Sequence, residues 1–137
     1  MSDQAPRARG RCLCGGVSFE VRGPLRDVMV CHCGQCRRTH GHVGAYTSAA
    51  RDQVELRADA TLSWYQSSDT ARRGFCRACG ASLFWEPLGE GRLAISAGAL
   101  DAPTGLKTVR HVFVDDAGDY YEIADALPRH GGSHLGG

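Results

Sequence analysis

The chain has 137 residues, 42% of them hydrophobic and 23% charged, with a formal net charge of +1. That length suits one domain able to bury about two thirds of its unfolded surface, and the near-neutral balance excludes a general electrostatic attraction for nucleic acid or anionic membrane. No apolar run approaches the ~20 residues of a membrane span, and the opening MSDQAPRARG lacks the apolar stretch of a secretory signal, so a soluble, cytoplasmic protein is expected.

In chain order, residues 1–8 read as a flexible arm. Val17, Phe19 and Val21 then alternate with Ser18, Glu20 and Arg22, the pattern of a half-buried strand, which Gly23-Pro24 ends. Further strands are expected over 27–32, 43–48, 53–57, 62–67, 72–75, 82–86, 93–97 and 110–114. Only two short helices are expected, over 35–39 and 123–127. The period of two predicts a mainly β domain over 9–129, and 18 glycines suit its many turns. Residues 130–137, HGGSHLGG, read as a flexible tail in which His130 and His134 are solvated.

Seven cysteines are an odd number for a disulfide framework, and in a reducing compartment clustered thiols point to metal binding or redox chemistry. They fall into Cys12 and Cys14 in CLCGG, Cys31, Cys33 and Cys36 in CHCGQC, and Cys76 and Cys79 in FCRACG. Four plus three is the simplest partition. Two distant dyads close one four-cysteine site, and Gly15, Gly16 and Gly80 let nearby amides turn toward the sulfurs. The triplet is left as a three-ligand site with an open position. Spacing also permits a rival in which Cys33 and Cys36 join Cys76 and Cys79 as two C-x-x-C knuckles. The chain contains no G-x-S-x-G, phosphate-cradling G-x-x-x-x-G-K-[ST] or H-E-x-x-H motif.

From about Gly10 to Arg129 the sequence resembles the family of glutathione-dependent formaldehyde-activating enzymes and centromere protein V. The resemblance is carried in order by CLCGGVSFEV, CHCGQCRR, FCRACGASLFW, ISAGALD, RHVFV and ALPRH. It departs from the family pattern at Leu13, Ala99 and Gly118-Asp119-Tyr120. The resemblance implies a β-tent fold of small antiparallel sheets joined at a structural zinc site. It implies two Zn2+ ions, a structural one on Cys12, Cys14, Cys76 and Cys79 and a catalytic one on Cys31, Cys33 and Cys36. The activity implied is a carbon-sulfur lyase reaction, the reversible joining of formaldehyde to the thiol of glutathione.

Three thiolates around Zn2+ carry a net charge of about −1, a poor acidifier of water but a soft site for a substrate sulfur. The open position would take the substrate thiolate or the oxygen derived from the aldehyde. His32, His40, His42 and His111 are candidates for proton transfer, although a strand would point His32 away from its flanking cysteines. Arg37 and Arg38 could meet the carboxylates of an anionic thiol, while Arg72 and Arg73 are read as solvated charges. Trp64, Phe84 and Trp85 are read as core. The competing reading is a noncatalytic, zinc-stabilised module that binds a protein partner. The three-ligand site favours the enzyme, since a purely structural domain needs only the four-cysteine site.

Overall fold

A computed structural model describes residues 5–133. The chain forms β1 (Ala8–Arg11), β2 (Ser18–Val21), β3 (Val28–Cys31), α1 (Gly34–His40), β4 (Gly44–Ala50), β5 (Val54–Ala58), β6 (Leu62–Gln66), β7 (Ala71–Cys76), β8 (Ser82–Pro87), β9 (Arg92–Ser96) and β10 (Thr108–Val112). The fold is mainly β, and every strand expected from alternation is present within a few residues. β1 was not expected. Its sequence, ARGR, is polar and buries only Gly10, so no apolar period marks it.

The strands make a three-stranded antiparallel sheet, β1-β2-β5, and a seven-stranded sheet, β10-β3-β4-β9-β8-β7-β6. In the larger sheet β10 and β3 run parallel and the other neighbours antiparallel. The core lies between the two sheets. Val17, Phe19, Val21 and Val54 come to it from the small-sheet side, and Leu83, Phe84, Leu93 and Ile95 from the large sheet. The rings of Phe19 and Phe84 meet edge to face with centroids 5.1 Å apart, and each buried side chain of this size contributes about 1.5–3 kcal/mol. The alternate residue Glu20 faces out and pairs with Arg9 and Arg22, as a half-buried strand requires.

The helix expected over 123–127 does not form. Asp125 accepts a hydrogen bond from the Leu127 amide, and the Arg129 guanidinium donates to the carbonyls of Ile123 and Asp125. Those side chains occupy groups that a helix would use, and Pro128 disfavours helical geometry at Leu127. Beyond it, the amides of Phe113 and Val114 donate to the carbonyls of Gly132 and His130, so backbone pairing extends into the C-terminal segment. His134 lies outside the described residues.

Candidate functional site

The seven sulfurs form two groups. Those of Cys12, Cys14, Cys76 and Cys79 lie within 4.8 Å of one another, as do those of Cys31, Cys33 and Cys36. The geometry is therefore four plus three and not the rival pairing of two C-x-x-C knuckles.

The four-cysteine group stands where the sheets meet. Cys12 and Cys14 follow β1 of the small sheet, Cys76 ends β7 of the large one, and Cys79 lies in the turn to β8. Gly15 and Gly80 take φ of 82° and 79°, left-handed turns that suit glycine. The turns aim amides at sulfur. Gly16 donates to Cys14 Sγ at 3.4 Å, Val17 to Cys12 Sγ at 3.3 Å and Cys79 to Cys76 Sγ at 3.4 Å. The Thr61 hydroxyl, 3.2 Å from Cys76 Sγ, is the main cause that pushes the Cys76 thiol down to about 6, with the Cys79 and Ala78 amides adding to it. Cys14 Sγ is 3.7 Å from both Cys12 Sγ and Cys76 Sγ. A disulfide requires about 2.05 Å, whereas sulfurs about 2.3 Å from a tetrahedral zinc stand about 3.8 Å apart. The donor set fits a metal ion of that kind.

The three-cysteine group is built on one short excursion of chain. β3 ends at Cys31, Cys33 caps α1 with its sulfur accepting from the Cys36 amide at 3.3 Å, and Cys36 is buried on the helix. Gly41 closes the helix and returns the chain to β4, where Gly44 pairs with Cys31. A Cβ at Gly44 would come within 3.1 Å of Cys36 Sγ and 2.7 Å of the Tyr46 ring, so the close approach of β4 requires glycine there. The side chains of Cys31 and Cys36, then the amides of Cys36 and Gln35, push the Cys33 thiol far down, while Cys33 pushes Cys31 up. Among the described residues, no other His, Cys, Asp or Glu completes this group, so it too could hold a metal ion but with fewer protein donors.

A profile described as "Glutathione-dependent formaldehyde-activating enzyme" matches residues 7–116. The chain belongs to this family. A Schizosaccharomyces pombe protein named an uncharacterized lyase is 25% identical over 122 residues, covering 88% of both chains. A crystal structure of a Rhodobacter sphaeroides protein is similar at a TM-score of 0.58 and 28% identity, covering 73% of this chain and 97% of that one. No helix among the described residues is long and apolar enough to cross a membrane.

In this member of the family the three cysteines open on a cavity of about 320 Å³. Met29, Trp85, Val112 and Phe113 give it apolar walls, and Arg26, Arg73 and Arg92 give it cations. Trp85 is therefore a cavity wall as well as a packing residue, whereas Phe84 is core as expected. Neither Arg37 nor Arg38 lines the cavity. The pair Arg72-Arg73 divides because neighbours on a strand face opposite sides. Arg72 bonds Glu86 at 2.8 Å and lies 3.9 Å over the Trp64 ring. Arg73, expected to be solvated, is instead buried beside Cys36. Arg26 and Arg92 were missed because they sit at strand entrances outside the cysteine motifs, and no local pattern marks which cavity they face.

His32 points away from the cysteines, as strand alternation requires, and is buried. Its Nδ1 lies 2.6 Å from the Tyr121 hydroxyl, its Nε2 2.8 Å from His111 Nδ1, and His111 Nε2 3.0 Å from the Asp125 carboxylate. Asp125 only accepts, so with both rings neutral each proton in the chain has one place: on His111 Nε2, on His32 Nε2 and on the Tyr121 oxygen. Burial, then His111, lowers the pKa of His32 and keeps it neutral. Both nitrogens of His32 are occupied, which makes it a brace between β3, β10 and the 117–128 segment. His40 bonds the Tyr46 hydroxyl at 2.6 Å, and His42 bonds that of Tyr120 at 2.9 Å. Two departures from the family pattern, Leu13 and Ala99, line a separate, wider groove of about 670 Å³ and do not touch the cysteine cavity.

Proposed function

We propose that the protein is a zinc-dependent carbon-sulfur lyase acting on a small thiol-aldehyde adduct, of the type that joins formaldehyde to glutathione. The observation that carries this reading is the three-sulfur group opening on an arginine-bearing cavity, in a chain of this family. Cys12, Cys14, Cys76 and Cys79 would hold a structural zinc, and Cys31, Cys33 and Cys36 a catalytic one. Bound there, zinc would supply a Lewis acid with affinity for a substrate sulfur.

In the cleavage direction the adduct's C–S bond breaks, sulfur leaves with the electron pair, and the hydroxyl proton is lost as the aldehyde C=O forms. The chain's residues bind and orient the adduct for that step. Met29, Trp85, Val112 and Phe113 give the adduct an apolar wall, beside which charge interactions are stronger than in open water. Arg26 donates to the carbonyls of Asp27 and Tyr46, makes no ion pair among the described residues, and is crowded by Arg92 and Arg110. A guanidinium always charged, half-buried and unpaired in a cavity wall suits a substrate carboxylate.

The test loads the full chain with Zn2+ and follows exchange between free and thiol-bound 13C-formaldehyde by NMR, with glutathione and with an uncharged thiol. Exchange faster than the spontaneous rate, with glutathione preferred, supports the reading. No acceleration with either thiol, and one zinc per chain, would favour a noncatalytic module that binds a protein partner. Arg26→Met is expected to raise KM for glutathione roughly 10- to 100-fold, the scale of a lost charge-assisted hydrogen bond, while kcat and zinc content stay near wild type. An unchanged KM would remove Arg26 from substrate binding.

A further inference from the structure

Arg73 is 9% exposed, and every nitrogen of its guanidinium is engaged. Nε donates to Gln35 Oε1 at 2.7 Å, Nη1 to the Tyr46 hydroxyl at 3.0 Å and Nη2 to Cys36 Sγ at 3.7 Å. Three elements hold it, since Arg73 lies on β7, Gln35 and Cys36 on α1, and Tyr46 on β4. Yet Arg73 has no carboxylate partner among the described residues.

Two of the three groups that hold it are neutral. Gln35 carries no charge, and burial pushes the Tyr46 hydroxyl up to about 12. Because Tyr46 accepts from Arg73, its own proton is free for His40 Nε2 at 2.6 Å, where burial, then Arg73, lowers the pKa of the ring. These groups fix the guanidinium without neutralising it. A buried cation without an opposite charge is strongly unfavourable, and the group within hydrogen-bond reach that can become an anion is the Cys36 sulfur. A divalent ion with three thiolates sums to about −1. Arg73 brings the assembly to zero.

We propose that Arg73 is the fixed counter-charge of the three-cysteine site and sets how tightly that site holds a divalent, thiophilic metal ion. The inference rests on reading Cys31, Cys33 and Cys36 as metal ligands. Arg73 acts as a positioning residue: it touches a ligand sulfur, and its charge favours the loaded, anionic form of the site over the metal-free one. The four-cysteine group, at the opposite end of β7, lies outside its hydrogen-bond reach.

The experiment titrates Zn2+ into wild type, Arg73→Lys, Arg73→Gln and Arg73→Met in competition with a chromophoric chelator, so that both sites are read in the same molecule. Arg73→Gln and Arg73→Met are expected to weaken the three-cysteine site roughly 10- to 100-fold, the range for partners of metal ligands. Arg73→Lys should stay within several-fold of wild type, and the four-cysteine site and the circular dichroism should not change. Unaltered three-cysteine affinity in the Gln and Met variants would overturn the proposal. Equal losses in Lys, Gln and Met would also overturn it, in favour of packing. If the Met variant does not fold, Lys against Gln decides by the same rule. Wild type that takes up a single Zn2+ overturns the reading on which the inference rests, whereas two Zn2+ with equal affinities across the variants overturns the inference alone.

Discussion

Cys76→Ser is expected to leave a chain that does not melt cooperatively, or that melts at least about 15 °C below wild type, with the structural zinc gone. Cys76 is fully buried, ends β7 and belongs to the main apolar cluster. Its sulfur receives the Cys79 amide and lies against the Thr61 hydroxyl and Cys14 Sγ. Serine keeps the volume nearly unchanged but is a hard donor that stays protonated, so the group loses one of four ligands. The magnitude follows from a comparison. A structural zinc contributes about 10–16 kcal/mol in isolated zinc-finger peptides, as much as or more than the ~5–15 kcal/mol that keeps a whole domain folded. The small sheet would then be held to the rest by apolar contacts and a few backbone hydrogen bonds, such as that from the Asp101 amide to the Arg9 carbonyl, without the clamp. Melting followed by circular dichroism, with zinc counted per chain, checks this. A Cys76→Ser protein that melts near wild type with its zinc intact would sink the structural assignment.

The strands were legible because alternation survives whatever the tertiary contacts. Phe19 and Val21 face in and Glu20 faces out, as their chemistry demands. The partition of the cysteines was less so. C-x-x-C spacing fits either grouping, and what separates them is topology: β1 and β7 end beside each other where the sheets meet, while CHCGQC lies at the end of β3. Arg73 was illegible for a related reason. Arg72 and Arg73 are alike in sequence, and which of them faces Cys36 is set by the register of β7 across β8, β9 and β4. The Tyr121-His32-His111-Asp125 chain depends on contacts 79 to 89 residues apart in its central links, and no local pattern encodes them. The unformed helix at 123–127 reflects the same limit, since an Asx turn and an arginine reaching back over the carbonyls outweighed a weak apolar period.

Cys33→Ser is expected to behave in the opposite way to Cys76→Ser. Cys33 is the N-cap of α1, with φ −66° and ψ 160°, and its sulfur accepts from the Cys36 amide. Serine is among the preferred residues at that position, so the substitution preserves the cap and with it the start of the helix. Cys33 packs only against the edge of the small cluster of Cys36, Tyr46 and Ala94, away from the main core, so the melting temperature should move by no more than a few degrees. What the variant loses is one of the three sulfurs that converge within 4.8 Å of one another. Two thiolates and a hydroxyl are a much poorer donor set for a soft ion, and the zinc affinity of this site should fall by at least about 100-fold. Thiol-formaldehyde exchange should fall to the spontaneous rate, with the first zinc retained. The pair of variants therefore separates folding from chemistry on one molecule. If Cys33→Ser unfolds the chain as fully as Cys76→Ser, the triplet is a second structural clamp; if it binds one zinc, melts like wild type and loses exchange, the three sulfurs are where the reaction occurs.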